Sequence, residues 1–267
     1  MIKEATFTEV MDALSEQDGV YSAPVPENWK QGRTAYGGFT AALLLRAARL
    51  KYPDLPPLRS VMVNFTAPVT APPQISVEVL RQGRNITTVS VRSDVDGKPA
   101  AVATFTFGHS QDSHVSSDLA APDALAPEDT EPYFPPAMKQ LPIRFAENFD
   151  LRLIEGDRPF MGAERGYARV WARHKDPACR GSFEDLLGIA DILPPAVFPT
   201  CTRPGPNSSV NWICNFMRED LTTRDGWWMM DTNLSAARNG YSSQVMRVWN
   251  TQGEIVVDGM QSVIIFV

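Results

Sequence analysis

The sequence predicts an α+β fold of two similar halves, each an antiparallel sheet wrapped around a central helix. Three features predict it: a long run that is apolar on nearly every side, a train of short alternating strands after it, and a second occurrence of that order further along the 267-residue chain.

In chain order, an extended piece, GVYSAPV, leads to Tyr36-Gly37-Gly38, which opens the run FTAALLLRAARLKY. Ala and Leu are strong helix formers, and a helix that is apolar all round has to be buried. SVMVNFTAPV, ISVEVL, NITTVSVRSDV and AAVATFTF then read as strands, with turns at Gln82-Gly83 and at Asp96-Gly97, the latter of hairpin type. The second half begins with the strand pair FDLRLIEG and GYARVWARH. A helix candidate follows, SFEDLLGIADIL, which Pro194-Pro195 stops. Strands then run through SSVNWICNF, GWWMMDTNLSAA and SSQVMRVWN to a turn at Gln252-Gly253 and the last strand, EIVVDGMQSVIIFV. SVMVNF and SVNWICNF, one in each half, both finish in Asn-Phe, at Phe65 and Phe216. Residues 109–143 are rich in Pro, Asp and Ser without periodicity, which marks a linker or a surface loop. The expected units are therefore 1–108, a 109–143 linker and 144–267.

A net charge of −6 argues against nucleic acid, whose phosphates call for a basic surface. Three cysteines, an odd count without framework spacing, suit a reducing compartment. The N-terminal MIKEATFTEVMDAL has no secretory pattern, and no stretch of about 18 apolar residues exists, so a cytoplasmic protein without a membrane span is expected.

Several machineries are absent. Gly108-His109-Ser110-Gln111-Asp112 lacks the final glycine of a nucleophile elbow, and there is no phosphate-binding glycine pattern and no H-E-x-x-H. His109, His114 and His174 have no metal-ligand spacing, so neither a metal nor another cofactor is expected. Cys214 lies in an apolar alternation and reads as a small core residue. Carboxylate-plus-amide chemistry is left. On the last strand, Ile255, Val257, Gly259, Gln261, Val263 and Ile265 share a face, so Gln261 is an amide in an apolar row, where it needs partners for catalysis or for structure. Asp191 ends an otherwise apolar helix. There the helix dipole and, if the residue is buried, desolvation both raise a carboxyl pKa and make it a better base; the alternative is a solvent-facing Asp.

Over almost its whole length the chain resembles the acyl-CoA thioesterase II (TesB-like) family of double hotdog proteins. The resemblance rests on Gly32-Arg33 and Tyr36-Gly37-Gly38, the turn Arg81-Gln82-Gly83-Arg84, Ala190-Asp191 before Leu193-Pro194, Ser209-Val210-Asn211 before Phe216-Met217-Arg218, and Met260-Gln261-Ser262. Two places depart from it: Asn211-Trp212 stand where the family has Asp-His, and Ser262-Val263 where it has Glu-Gly. The resemblance implies hydrolysis of an acyl-CoA by direct water attack, with Asp191, Ser209 and Gln261 as the catalytic trio. It also implies backbone donors at a helix N-terminus for the thioester oxygen, for which Gly37 and Gly38 allow close approach, with the choice of helix end left open. Arg33, Arg81, Arg84 and Arg238 are candidates for the coenzyme A phosphates. Phe39, Leu43 and Met62 are candidates for an acyl channel or, equally, for plain core. A homodimer or higher homo-oligomer is expected, and a place in lipid metabolism follows from the substrate. By alternation Ser209 faces away from Trp212, Cys214 and Phe216 unless a bulge turns it, and Ser208 is its substitute. A catalytically silent acyl-CoA-binding hotdog and a hotdog enoyl-CoA hydratase are the competing readings.

Overall fold

A computed structural model describes residues 3–135 and 143–267; residues 1–2 and, within the expected linker, 136–142 lie outside the described residues. A short helix α1 (Phe7–Asp12), closed by a Thr6–Glu9 capping box, precedes four short strands, β1 (Ser15–Gln17), β2 (Val20–Ser22), β3 (Lys30–Gln31) and β4 (Thr34–Ala35). Then come α2 (Gly37–Lys51) and a meander of β5 (Leu58–Phe65), β6 (Gln74–Gln82), β7 (Ile86–Val95) and β8 (Lys98–Gly108). The second half holds β9 (Phe149–Gly156), β10 (Tyr167–His174), α3 (Phe183–Ala190), β11 (Asn207–Phe216), β12 (Trp228–Arg238), β13 (Tyr241–Trp249) and β14 (Ile255–Ile265). Asp96 and Gly97 both take positive φ, the backbone that a tight β7–β8 hairpin needs. Among the described residues no helix is long and apolar enough to cross a membrane.

Instead of one sheet for each half there is a single sheet of twelve strands, ordered β1-β2-β6-β7-β8-β5-β11-β14-β13-β12-β10-β9, beside the small β3–β4 pair. The strand that follows the helix in each half would otherwise be an open edge with unpaired backbone groups. Those two edges pair with each other, β5 against β11, from Asn64 opposite Asn211 to Ser60 opposite Asn215. The two strands with matching Asn-Phe endings are therefore the seam between the halves.

Ten residues of α2 are buried, as its all-round apolar character requires. It lies against β6, β7 and β8, while α3 lies against β10 and the two helices pack on each other. Phe39 and Leu43 are core residues, and Phe39 stacks on Trp29 at 5.2 Å. Met62 is no channel residue: Val61 and Val63 take the inner face of β5, which turns Met62 outward, 44% exposed.

The described part of segment 109–135 is a strap across the outer face of the second half. Trp249 Nε1 donates to Leu119 O at 2.8 Å, Ala121 N–H to Gly253 O at 2.9 Å and Trp171 Nε1 to Leu125 O at 2.9 Å. Beneath it Trp171, Trp227, Met229, Trp249 and Ile255 form a small core of their own.

The helices meet at a glycine. A Cβ at Gly38 would lie 2.9 Å from the carbonyl oxygens of both Leu187 and Gly188 on α3, backbone atoms that cannot swing aside. Gly38→Ala should therefore lower the unfolding free energy in urea by about 1–3 kcal/mol through overpacking, despite alanine's better helix propensity. A stabilised variant would contradict this account of the contact.

Candidate active site

Asp191 is the first residue beyond α3, buried at 9% exposure where the C-terminal end of α3 meets the N-terminal end of α2. A Cβ at Gly37 would sit 2.5 Å from Asp191 Oδ2, so only glycine lets the start of α2 come this close. Burial raises the carboxyl from its ordinary 3.8 to about 7, while hydrogen bonds from Gln261 and from the Gly38 backbone N–H pull it back down. The N-terminal end of α2 thus stabilises the charge that desolvation disfavours. Tyr36, the residue before α2, is also buried; its ring stacks on Phe145 at 4.1 Å, and burial and the Asp191 charge both push its phenol upward.

Gln261 lies on the inner face of β14, directly opposite Trp212 of β11. Its Nε2 donates to Asp191 Oδ1 at 2.8 Å and to Ser209 Oγ at 3.1 Å. Two oxygens on one amide nitrogen stand about a water bridge apart, roughly 5 Å. Alternation alone would turn Ser209 away from this point. A register shift corrects it: Ser209 faces Val263, yet Asn211 faces Ser262, so β11 carries one extra residue at Val210. This bulge reverses the alternation and returns Ser209 to the face of Trp212 and Cys214. Ser208 is exposed, and its hydroxyl donates to Ser209 O instead. Trp212, where the family has His, is fully buried, and its Nε1 has no acceptor among the described residues.

One neighbour escapes the sequence reading. Gln244 on β13 pairs with Gln261 in the ladder and is 1% exposed. Its Nε2 donates to Gln261 Oε1 at 2.9 Å, and its Oε1 accepts from Ala196 N–H at 2.7 Å. The signal for it was present: Gln244 shares a face with Met246 and Val248, the same oddity that marks Gln261.

The four arginines are all exposed and are not brought together. Ile86 faces Gly108, Leu58 faces Phe107 and Ser60 faces Asn215, so the Arg81–Arg84 hairpin lies on the rim where β11 ends. Ser209 faces Val263, Val263 faces Ser242, and Arg238 faces Tyr241, so Arg238 lies on the opposite rim, with Ser209. Arg33 belongs to that second rim, because the hydroxyl of its neighbour Thr34 accepts from Val69 N–H just past β5. Strands of about ten residues keep the rims roughly 30 Å apart, too far for one phosphate patch.

Two family models match the chain, the acyl-CoA thioesterase N-terminal domain over residues 25–108 and the acyl-CoA thioesterase C-terminal domain over residues 122–265. Among solved structures, a hot dog fold protein of unknown function from Alicyclobacillus acidocaldarius superposes with a TM-score of 0.87 at 24% identity, over 98% of each chain. The acyl-CoA thioesterase II TesB2 of Mycobacterium marinum gives 0.74 at 21% identity, again over 98% of each chain. The tesB protein of Mycobacterium avium subspecies paratuberculosis gives 0.78 at 17%, with the same coverage. These likenesses establish the hotdog fold. No curated protein matches the sequence.

The raised carboxyl has a consequence for stability. Folded Asp191 holds its proton up to about pH 7, whereas the unfolded chain releases it near 3.8. The stability tied to the protonated form is complete below the unfolded value and is lost as pH rises through the folded one. Asn at this position has no such titration. From about pH 5 to about pH 8.5 the unfolding free energy of Asp191→Asn should therefore improve against wild type by about 2–3 kcal/mol in urea titrations. A difference that stays flat with pH would mean that Asp191 ionises normally.

Proposed function

The chain belongs to the acyl-CoA thioesterase family and is a thioester hydrolase, and we propose that it cleaves acyl-CoA by direct attack of a water held between Asp191, Ser209 and Gln261. The observation that carries this reading is the shared amide: Gln261 Nε2 spans Asp191 Oδ1 and Ser209 Oγ. The Asp191 carboxyl, raised to about 7, is matched to accept a proton near neutral pH.

In the proposed step the water oxygen bonds to the thioester carbon while its proton passes to Asp191, and the carbonyl oxygen takes the negative charge. Collapse of that oxyanion breaks the C–S bond, and the proton held on Asp191 returns to the departing thiolate. The products are a free acid and coenzyme A, with Asp191 again ionised. Ser209 and Gln261 fix the water's position, so the reaction gains from orientation. The first N–H groups of α2 have no intrahelical acceptor. Gly38 directs its own toward Asp191, and in this reading Gly37 donates to the thioester oxygen. In this reading Arg33 and Arg238, which share the Ser209 rim, meet the coenzyme A phosphates. The reaction takes no metal and no bound cofactor.

Thiol release from a panel of acyl-CoAs tests the reading. Wild type should release thiol, and Asp191→Asn should lose about 10²–10⁴ of that rate. No acyl adduct should appear on the protein in quenched single-turnover mass spectra. Equal background release by both proteins would make this a silent acyl-CoA binder, and consumption of enoyl-CoA without thiol release would make it a hydratase.

A further inference from the structure

We propose that Gln244 is a positioning residue of the hydrolytic site: with the Ala196 backbone N–H it sets which way round the Gln261 amide faces. The inference rests on the reading of Asp191, Ser209 and Gln261 as the groups around the reacting water.

An amide side chain has nearly the same shape in its two orientations, so its hydrogen-bond partners decide between them. Here the decision starts at a group that can only donate. Pro194 and Pro195 have no N–H, so Ala196 offers the first backbone donor after Leu193. That N–H takes Gln244 Oε1 at 2.7 Å, which turns Gln244 Nε2 toward Gln261 Oε1 at 2.9 Å. Gln261 is then left with its Nε2 facing Asp191 and Ser209. Reversed, Gln261 would set its carbonyl oxygen against a carboxylate, acceptor against acceptor. Gln244 and Gln261 are 1% and 4% exposed, so solvent does not offer substitute partners for the relay. The same relay ties the segment that follows Asp191 to the β13–β14 ladder, and so fixes the distance between the base and the residue that orients its water.

The test is Gln244→Glu, which keeps the shape and can accept but, once ionised, not donate; Gln244→Met is its uncharged companion of similar length. With an ionised Glu at 244 Gln261 has to reverse, and with Met, which offers no donor, nothing holds its Oε1 in place. Thiol release should fall at least about tenfold in kcat with KM within about twofold, the loss of an interaction that acts on the reacting groups rather than on binding. The acid limb of the kcat–pH profile should also move to higher pH, because Asp191 loses the Gln261 donor that holds its carboxyl down. Gln244→Met should show both changes in smaller measure. If both folded variants keep the wild-type kcat and acid limb and differ only in melting temperature, Gln244 is packing alone and the proposal is overturned. Asp191→Asn separates this from the underlying reading: if it turns over like wild type, the site assignment falls and this inference falls with it.

Discussion

A carboxylate taken out of water needs donors brought to it, and at Asp191 they come from parts of the chain far apart in sequence. The Gly38 N–H arrives on the end of α2 and the Gln261 amide on β14. Gly37 and Gly38 permit this because a side chain on either would meet Asp191 or the α3 carbonyls first. The contact of α2 with α3 is thus at once the join between the two helices and the floor of the candidate site. Its cost is a carboxyl poised near 7, which is what a general base at neutral pH requires.

The pairing of β5 with β11 makes that meeting possible. It joins the two meanders into one sheet and puts α2 and α3 on the same inner side. The site then draws on both halves, the α2 terminus from the first and Asp191, Ser209, Gln244 and Gln261 from the second. The strap over Trp171 and Trp249 covers the outer face of the second half and leaves the inner face to the helices.

Much of this was legible in local sequence. The helix run at α2 was readable because its apolar residues leave no polar stripe, and the β7–β8 turn because Asp-Gly suits positive φ at both positions. Gln261 stood out by breaking an apolar row. Gln244 breaks one as well, but Ser242 and Ser243 before it blur the alternation. Ser209 could not be placed from alternation, because the bulge at Val210 depends on the register with β14 and carries no glycine or proline to announce it. Nor could the single sheet: matching strand endings mark equivalent strands, and equivalence does not say that the two pair. Arg81 and Arg84 flank a turn that was readable at Gln82-Gly83, but the rim each of the four arginines occupies depends on the whole ladder.

The central claim is that Asp191 is a buried carboxyl that titrates near neutrality. The direct measurement is the pH-dependent infrared difference spectrum of the carboxyl band, wild type against Asp191→Asn. The account predicts one carboxyl present in wild type, absent in the variant, with a midpoint near 7. A midpoint near the ordinary 3.8 would contradict it, since such a group would be solvated and could not be the desolvated base described for this site.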